Sequence, residues 1–429
     1  MLHQHSSPTD PATIGRRRPA RRRARGTALI AVTLVTALAL TACSSDDSSD
    51  EAAAAPSSAS PSSCPTAEMS MPQGGDMPEG MPSDMPEGMP SDMPAGGAMD
   101  LGEATSIKET DNSTSTVIDP QGPAITCDTS AVTTTNDITY STPTTDGTST
   151  ELKLDIQVPK DTSEAKPLVV YLTGGGWQRA ERTGNLDQRT YVTNQGYVVA
   201  SIQYRTTVDG GTYTDALTDV KSAIRYLRAN ADTYNIDTDN VFVWGQSAGG
   251  YLAAMTGVTN GDDTYDAGDH LDQSSDVQGV IDEFGPANLS RIADDYDQAA
   301  KDSNYEAGNP AAQWVYGAGT TKSTKEYTSE VAAADPATHI TSDTAPFLLL
   351  HGSADPLVSP SQTLNLFNSL TEEGVDAERV VLTGAGHGDM TFGPAATAAD
   401  GSEDAENVLP WSTEETMSHI TDFLADKTG

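Results

Sequence analysis

The chain has 429 residues, 36% of them hydrophobic and only 6% aromatic, and it carries a formal net charge of −38. That length holds one large domain of roughly 250–300 residues plus accessory segments, and the low apolar fraction fits a packed domain diluted by polar sequence. So acidic a chain repels nucleic-acid phosphates, which excludes a nucleic-acid partner and leaves a solvated exterior as the meaning of the Asp and Glu excess.

Residues 1–42 read as an export signal: arginines at 16–18 and within 21–25 precede an apolar run over 28–42. The run has about 15 residues, short of the roughly 20 that span a bilayer, so a signal peptide is expected rather than a permanent membrane helix. It ends in Leu40-Thr41-Ala42-Cys43, which resembles the bacterial lipobox. The resemblance implies that Cys43 is diacylated and anchors an extracytoplasmic protein to the cell membrane; cleavage with release is the alternative. The paired arginines leave the export route open.

Residues 43–131 are rich in Ser, Pro, Thr, Asp and Gly without a sustained period, which predicts a disordered tether. As a flexible coil it would span about 50 Å. Methionine recurs at every fourth position from Met77 to Met93. Thioethers are soft Cu(I) ligands, but no histidine or thiolate accompanies them, so a Pro-stiffened spacer is the preferred reading. Cys64 and Cys127 lie outside any catalytic motif in a chain bound for an oxidising compartment. They can pair if the fold brings their Cα atoms within about 6 Å, which spacing alone leaves open.

Residues 132–429 alternate short apolar runs with amphipathic helices, which predicts an α/β domain with a mostly parallel central sheet covered on both faces. Leu152-Lys153-Leu154-Asp155-Ile156 alternates as a half-exposed strand would. The runs 168–172, 198–202, 241–244 and 347–350 are continuously apolar, as buried parallel strands are. Ala216, Leu217, Val220, Ile224 and Leu227 form one helical stripe.

Gly245-Gln246-Ser247-Ala248-Gly249-Gly250 follows a buried run and leads into a helical one. This G-x-S-x-G pattern in strand-turn-helix context predicts a nucleophile elbow: small residues two before and two after Ser247 permit a sharp turn that exposes its hydroxyl. The Ala248 N–H, at the helix N-terminus, would face a developing oxyanion. Thr173-Gly174-Gly175-Gly176-Trp177, directly after another strand, offers Gly175 and Gly176 as further donors, since no Cβ blocks backbone approach.

A serine hydroxyl needs a base and the base an orienting carboxylate. Of His270, His339, His351, His387 and His419, His387 stands out in Gly384-Ala385-Gly386-His387-Gly388 after an apolar strand, whereas His351 ends a strand and is expected to bond within the core. Asp355, in the turn after the preceding strand, is the expected carboxylate, with Asp282 and Glu283 as runners-up. Leu289 to Ala334 contains Tyr296, Tyr305, Trp314 and Tyr316, and forms either a small cap over an acyl pocket or a surface excursion. The loop from Asp389 to Trp411 is the other candidate to border the same cleft.

The GGGW loop, Asp219 with the stretch from Arg225 to Asn230, the elbow, Gly285-Pro286 and Asp355-Pro356-Leu357-Val358 together resemble α/β-hydrolase esterases, nearest to the BD-FAE-like and hormone-sensitive-lipase-like families. The resemblance covers residues 137–425 and implies an α/β-hydrolase fold hydrolysing small acyl esters, often on plant polysaccharides, with no metal or organic cofactor. Thr173 departs from the histidine these families carry before the glycines. A prolyl-oligopeptidase-like peptidase shares the triad order but not the GGGW loop, and a non-catalytic binding lipoprotein would rest on the methionine repeat alone.

Overall fold

A strand apolar at every position must bury both of its faces, and here alternate side chains of the same strands feed two separate cores. The computed structural model describes residues 62–65, 104–145, 147–389 and 409–429. Nine strands form the central sheet: β1 (Thr116–Ile118), β2 (Val132–Ser141), β3 (Leu152–Pro159), β4 (Lys166–Leu172), β5 (Val198–Ile202), β6 (Ile236–Gln246), β7 (Gly279–Glu283), β8 (Phe347–Gly352) and β9 (Ala377–Leu382). Their order is β1-β9-β8-β7-β6-β4-β5-β3-β2, with β3 antiparallel to both β2 and β5 and every other pair parallel.

Leu168, Val170 and Leu172 of β4 point to one face, where α2 (Tyr213–Ala229), α3 (Ala248–Val258) and α7 (Ser361–Glu372) bury their apolar stripes. Val169 and Tyr171 point to the other, under α1 (Leu186–Asn194) and α8 (Glu414–Lys427). The stripe read from the sequence on α2 is fully buried, and its start is fixed by a capping box between Thr212 and Asp215. This is the α/β-hydrolase architecture, and it sets the turns after β4, β6, β8 and β9 along one edge of the sheet.

Two expectations are corrected. The stretch 104–131, assigned to the tether, packs on the domain: β1 pairs in parallel with β9, Ile118 and Ile125 are buried, and Ile107 bridges to Tyr296. A three-residue strand amid Ser, Thr and Asp leaves no hydrophobic period to read. The β3 strand is not half-exposed, because α1 covers it and Asp155 is buried, accepting from Arg182 Nε at 2.8 Å. Cys64 and Cys127 form a disulfide beside the antiparallel pairing of Ser62–Ser63 with Thr126–Cys127. The signal segment, Cys43, the methionine repeat and residues 390–408 lie outside the described residues.

Candidate active site

Gln246 ends β6 and Ala248 begins α3, so Ser247 is the entire turn. Its φ of 54° and ψ of −120° belong to a region that costs a non-glycine residue about 1–3 kcal/mol. The flanking glycines make the turn feasible. A Cβ on Gly245 would stand 2.1 Å from the Gly249 carbonyl oxygen, and one on Gly249 would stand 2.1 Å from that of Leu172. The strained residue is held from both sides, its N–H donating to Glu283 O (2.9 Å) and its carbonyl accepting from Tyr251 N (3.0 Å).

The turn after β9 carries His387, whose Nε2 lies 2.8 Å from Ser247 Oγ and whose Nδ1 lies 2.7 Å from Asp355 Oδ2. Asp355 sits in the turn after β8, fully buried, with Oδ1 accepting from Leu357 N (2.9 Å) and Val358 N (3.0 Å). Burial alone would raise this carboxyl, but the His387 charge and hydrogen bonds from His351 and His387 outweigh it and hold it well below the usual carboxylate range. An ionised Asp355 fixes the tautomer: Nδ1–H donates to it, which leaves the Nε2 lone pair for the serine proton.

His351 occupies the buried place expected of it, and also touches the acid, Nε2 lying 3.3 Å from Asp355 Oδ2 and 3.0 Å from Val358 O. A carbonyl and a carboxylate oxygen both face Nε2, so Nδ1 is the accepting nitrogen and takes the hydrogen of Thr363 Oγ1 (2.9 Å), which itself accepts from Arg379 Nε (3.0 Å). Nε2 therefore carries the ring proton, and burial lowers the imidazole pKa and keeps the ring neutral. His339 bonds the Ala333 carbonyl and His270 packs edge-on to Tyr226. Neither runner-up acid reaches His387: Asp282 accepts from Gly285 N (2.9 Å) and Glu283 from Gln246 Nε2 (2.5 Å), and burial pushes them up to about 7 and about 8.

The loop after β4 lies against the elbow. A Cβ on Gly174 would come within 3.0 Å of Ser247 Cβ, while Gly175 and Gly176 take φ of 144° and 58°. Ala248 N, in the first turn of α3, has no intrahelical acceptor. The Ala248 N–H thus adjoins the serine at the positive end of a helix dipole, and the glycine loop meets the serine at Gly174. Where the related families carry histidine, the Thr173 hydroxyl is buried and bonds nothing among the described residues, and the loop is held through its carbonyl, which accepts from Tyr204 OH at 2.7 Å. Tyr204 and Phe284, whose ring packs 4.6 Å from that of His387, were missed. Both immediately follow or closely trail a strand at the sheet edge bearing the serine, a position that marks them in the sequence.

The segment between β7 and β8 forms three short helices, α4 (Gln298–Asn304), α5 (Pro310–Tyr316) and α6 (Ser329–Ala333). Trp314 is fully buried and stacks on Trp177 of the glycine loop with ring centroids 6.1 Å apart, while Tyr296 OH donates to the Asp355 carbonyl (3.2 Å). The segment is bound into the domain beside the site rather than looping out from it.

A serine, aspartate and histidine in that chain order, on turns at one edge of such a sheet, define an α/β-hydrolase. The chain belongs to the BD-FAE family, whose model matches residues 154–370 and so includes Ser247 and Asp355. It is 25% identical over 240 residues to a probable isoprenylcysteine alpha-carbonyl methylesterase of Arabidopsis thaliana, covering 56% of this chain and 48% of that one. It is 28% identical over 242 residues to the esterase LipC of Mycobacterium tuberculosis, covering 55% and 56%. The chain spans about half the length of the curated relatives it matches. Among solved structures it resembles a truncated carbohydrate esterase from gut microbiota (TM-score 0.54, 25% identity, 72% of this chain and 99% of that one). It also resembles a propionate-bound esterase of Thermogutta terrifontis (TM-score 0.51, 26% identity, 68% and 93%).

Proposed function

We propose that the protein is a serine carboxylesterase that hydrolyses small acyl esters through an acyl-enzyme. The observation that carries this reading is His387 bridging Ser247 Oγ and Asp355 Oδ2 at 2.8 and 2.7 Å. His387 Nε2 takes the serine proton as Oγ bonds to the ester carbonyl carbon, and the carbonyl oxygen becomes an oxyanion facing the N–H groups of Gly175, Gly176 and Ala248. Collapse breaks the bond to the alcohol, which leaves with the proton from His387, and acyl-Ser247 remains. Water, deprotonated by the same imidazole, then releases the carboxylic acid and restores the serine.

A short acyl group, carried on a carbohydrate or a small alcohol, is the proposed substrate class. Support comes from the carbohydrate esterase and the propionate-bound esterase among similar structures, and from Trp177 and Trp314 crowding the side of the glycine loop. The test is hydrolysis of p-nitrophenyl acetate, butyrate and octanoate and of an acetylated xylooligosaccharide, beside a Ser247→Ala control and a peptide amide. A serine-dependent signal on short esters is expected; Ser247→Ala retaining full activity, or preference for the amide, would reject the reading.

The proposed setting is extracytoplasmic, anchored through Cys43. The Cys64–Cys127 disulfide supports an oxidising compartment. Expressed in a bacterium, the chain should fractionate with membranes and Cys43→Ala should not; equal partition of both would refute the anchor.

A further inference from the structure

Gln246 immediately precedes the serine, and both of its amide hydrogens are committed, one to Glu283 Oε2 (2.5 Å) and one to Gln188 Oε1 (2.9 Å). From Gln188 the chain of bonds crosses to the far side of the site, its Nε2 donating to Trp411 O and Ser412 Oγ, both at 3.2 Å. Trp411 in turn donates from Nε1 to Gly386 O (3.3 Å) and from its backbone N to Asp389 Oδ1 (2.9 Å), the residues on either side of the His387 segment. Its ring meets Phe284 edge-on at 4.5 Å, and Phe284 packs on His387. The backbone closes the circuit, since Ser247 N donates to Glu283 O. Gln246, Gln188, Glu283 and Trp411 are all buried, so water offers these groups no alternative partners.

We propose that Glu283 is a positioning residue: by holding the Gln246 amide it locks the nucleophile elbow to the loop that carries His387, and so sets the serine–histidine distance. This rests on the serine mechanism proposed above. Glu283 reaches neither Ser247 Oγ nor the His387 ring, and acts only through Gln246 and the Trp411 bridge. The clamp works with Glu283 as the neutral acid. Burial pushes its carboxyl up to about 8, opposed by the Gln246 amide and reinforced by the negative charges of Asp389 and Asp282. The Trp244 indole N–H also opposes the rise, but Oε1 is buried without a hydrogen-bond partner of good geometry among the described residues, which leaves an anion there poorly compensated.

The groups facing it from the surrounding elements are mostly acids or neutral: Asp282 on β7, Asp389 beyond His387, Asp187 on α1 bonded to Ser412 Oγ, and the Tyr171 hydroxyl on β4. Arg189 sits over the Tyr171 ring, 5.9 Å from its centroid, and bonds the Gly184 and Thr183 carbonyls instead. Raising the pH past that of Glu283 therefore creates an anion opposite Asp389, which already ionises at about 6. The two negative ends of the clamp then repel each other.

The test is the pH dependence of kcat and KM, from pH 6 to 10, for the wild type, Glu283→Gln, Glu283→Ala and Ser247→Ala, with thermal unfolding recorded for each. Glutamine has the shape and neutrality of the protonated acid. The expected result is at least a tenfold loss of kcat with little change in KM for Glu283→Ala, recovery of most of that loss in Glu283→Gln, and an alkaline fall in kcat near pH 8 that the wild type shows and Glu283→Gln lacks. Should Glu283→Ala not fold, Trp411→Phe keeps the ring but removes the bond to Gly386 O, and is expected to lower kcat at constant KM. Identical alkaline profiles for the wild type and Glu283→Gln, with Ser247→Ala inactive, would overturn the clamp alone. An active Ser247→Ala would overturn the serine mechanism and the clamp together.

Discussion

Replacing Asp355 by asparagine exchanges one oxygen for an NH2 group of nearly the same size. The amide oxygen can keep the two bonds that Asp355 Oδ1 accepts from Leu357 N and Val358 N, so the turn after β8 is retained. That choice leaves the NH2 where Oδ2 was, 2.7 Å from His387 Nδ1, which must then accept instead of donate. The ring proton moves to Nε2 and points at Ser247 Oγ, 2.8 Å away, and the imidazole can no longer receive the serine proton. Wrong-tautomer variants of this kind lose about 10⁴ in kcat, equivalent to about 5 kcal/mol of transition-state stabilisation. The expected outcome for Asp355→Asn is thus a fall of 10³ to 10⁴ in kcat on p-nitrophenyl butyrate at neutral pH, with KM within a few-fold and a folded protein by circular dichroism. A loss smaller than tenfold in a folded variant would show that this carboxylate does not orient the base.

The Cys64–Cys127 bridge spans a sequence separation of 63, and loop-closure entropy for that length contributes about 4 kcal/mol. The double Cys→Ala variant should unfold at clearly lower temperature by calorimetry while kcat/KM stays within twofold; an unchanged Tm would refute this. Trp314→Ala removes a buried indole that packs on Trp177 and Tyr251. A loss of about 3–5 kcal/mol is expected, together with a shift toward longer acyl chains in the ratio of kcat/KM for octanoate to acetate; an unaltered ratio would show that this segment does not border the acyl group. Asp282 and Glu283 have folded-state values raised to about 7 and about 8. The folded protein therefore holds more protons than the unfolded chain, and their contribution, complete below about pH 4, is lost as the pH rises through 7 to 8. Asp355 acts oppositely, its depressed value giving stability above about pH 4 that disappears only in strong acid. Urea midpoints should accordingly decline from pH 5 to 8, and less steeply in Glu283→Gln; a parallel decline in both proteins would contradict the assignment.

Much of the site could be read from the chain because its chemistry is local. Gly245 and Gly249 sit two residues either side of Ser247, since the turn tolerates no Cβ there, and such a constraint leaves a fixed spacing in any sequence that makes the turn. His387 and Asp355 were legible because each follows an apolar run within a loop of small or turn-forming residues. What did not show depends on contacts across long separations. Thr116–Ile118 becomes a strand only because β9 offers an unpaired edge. Asp155 is buried under α1 with Arg182, in the loop leading to that helix, as its ionic partner. Nothing in Gln188 or Trp411, more than 200 residues apart, announces that they bond to each other beside the serine.

The strain in the backbone is distributed in the same way as the function. Seven non-glycine residues have positive φ among the described residues. Four of them, Asp137, Asn185, Asn235 and His270, are of types whose side chains tolerate that region; Asp137 sits at the register shift in the β2–β3 pairing and the other three lie outside the strands. The other three, Trp177 at φ 61°, Ser247 at 54° and Phe284 at 45°, have no such excuse. Each borders the candidate site: Trp177 ends the glycine loop, Ser247 is the proposed nucleophile and Phe284 packs on the ring of His387, the proposed base. At about 1–3 kcal/mol apiece these conformations persist only where surrounding contacts over-determine them. Those contacts are on hand: Trp177 is stacked on Trp314, Ser247 is tied to Glu283 O, and Phe284 donates its N–H to Leu350 O at 2.7 Å between the rings of His387 and Trp411. The buried clamp around Gln246 thus lies where the fold must hold two strained residues and a histidine in register, so loosening it should cost catalysis before it costs the fold.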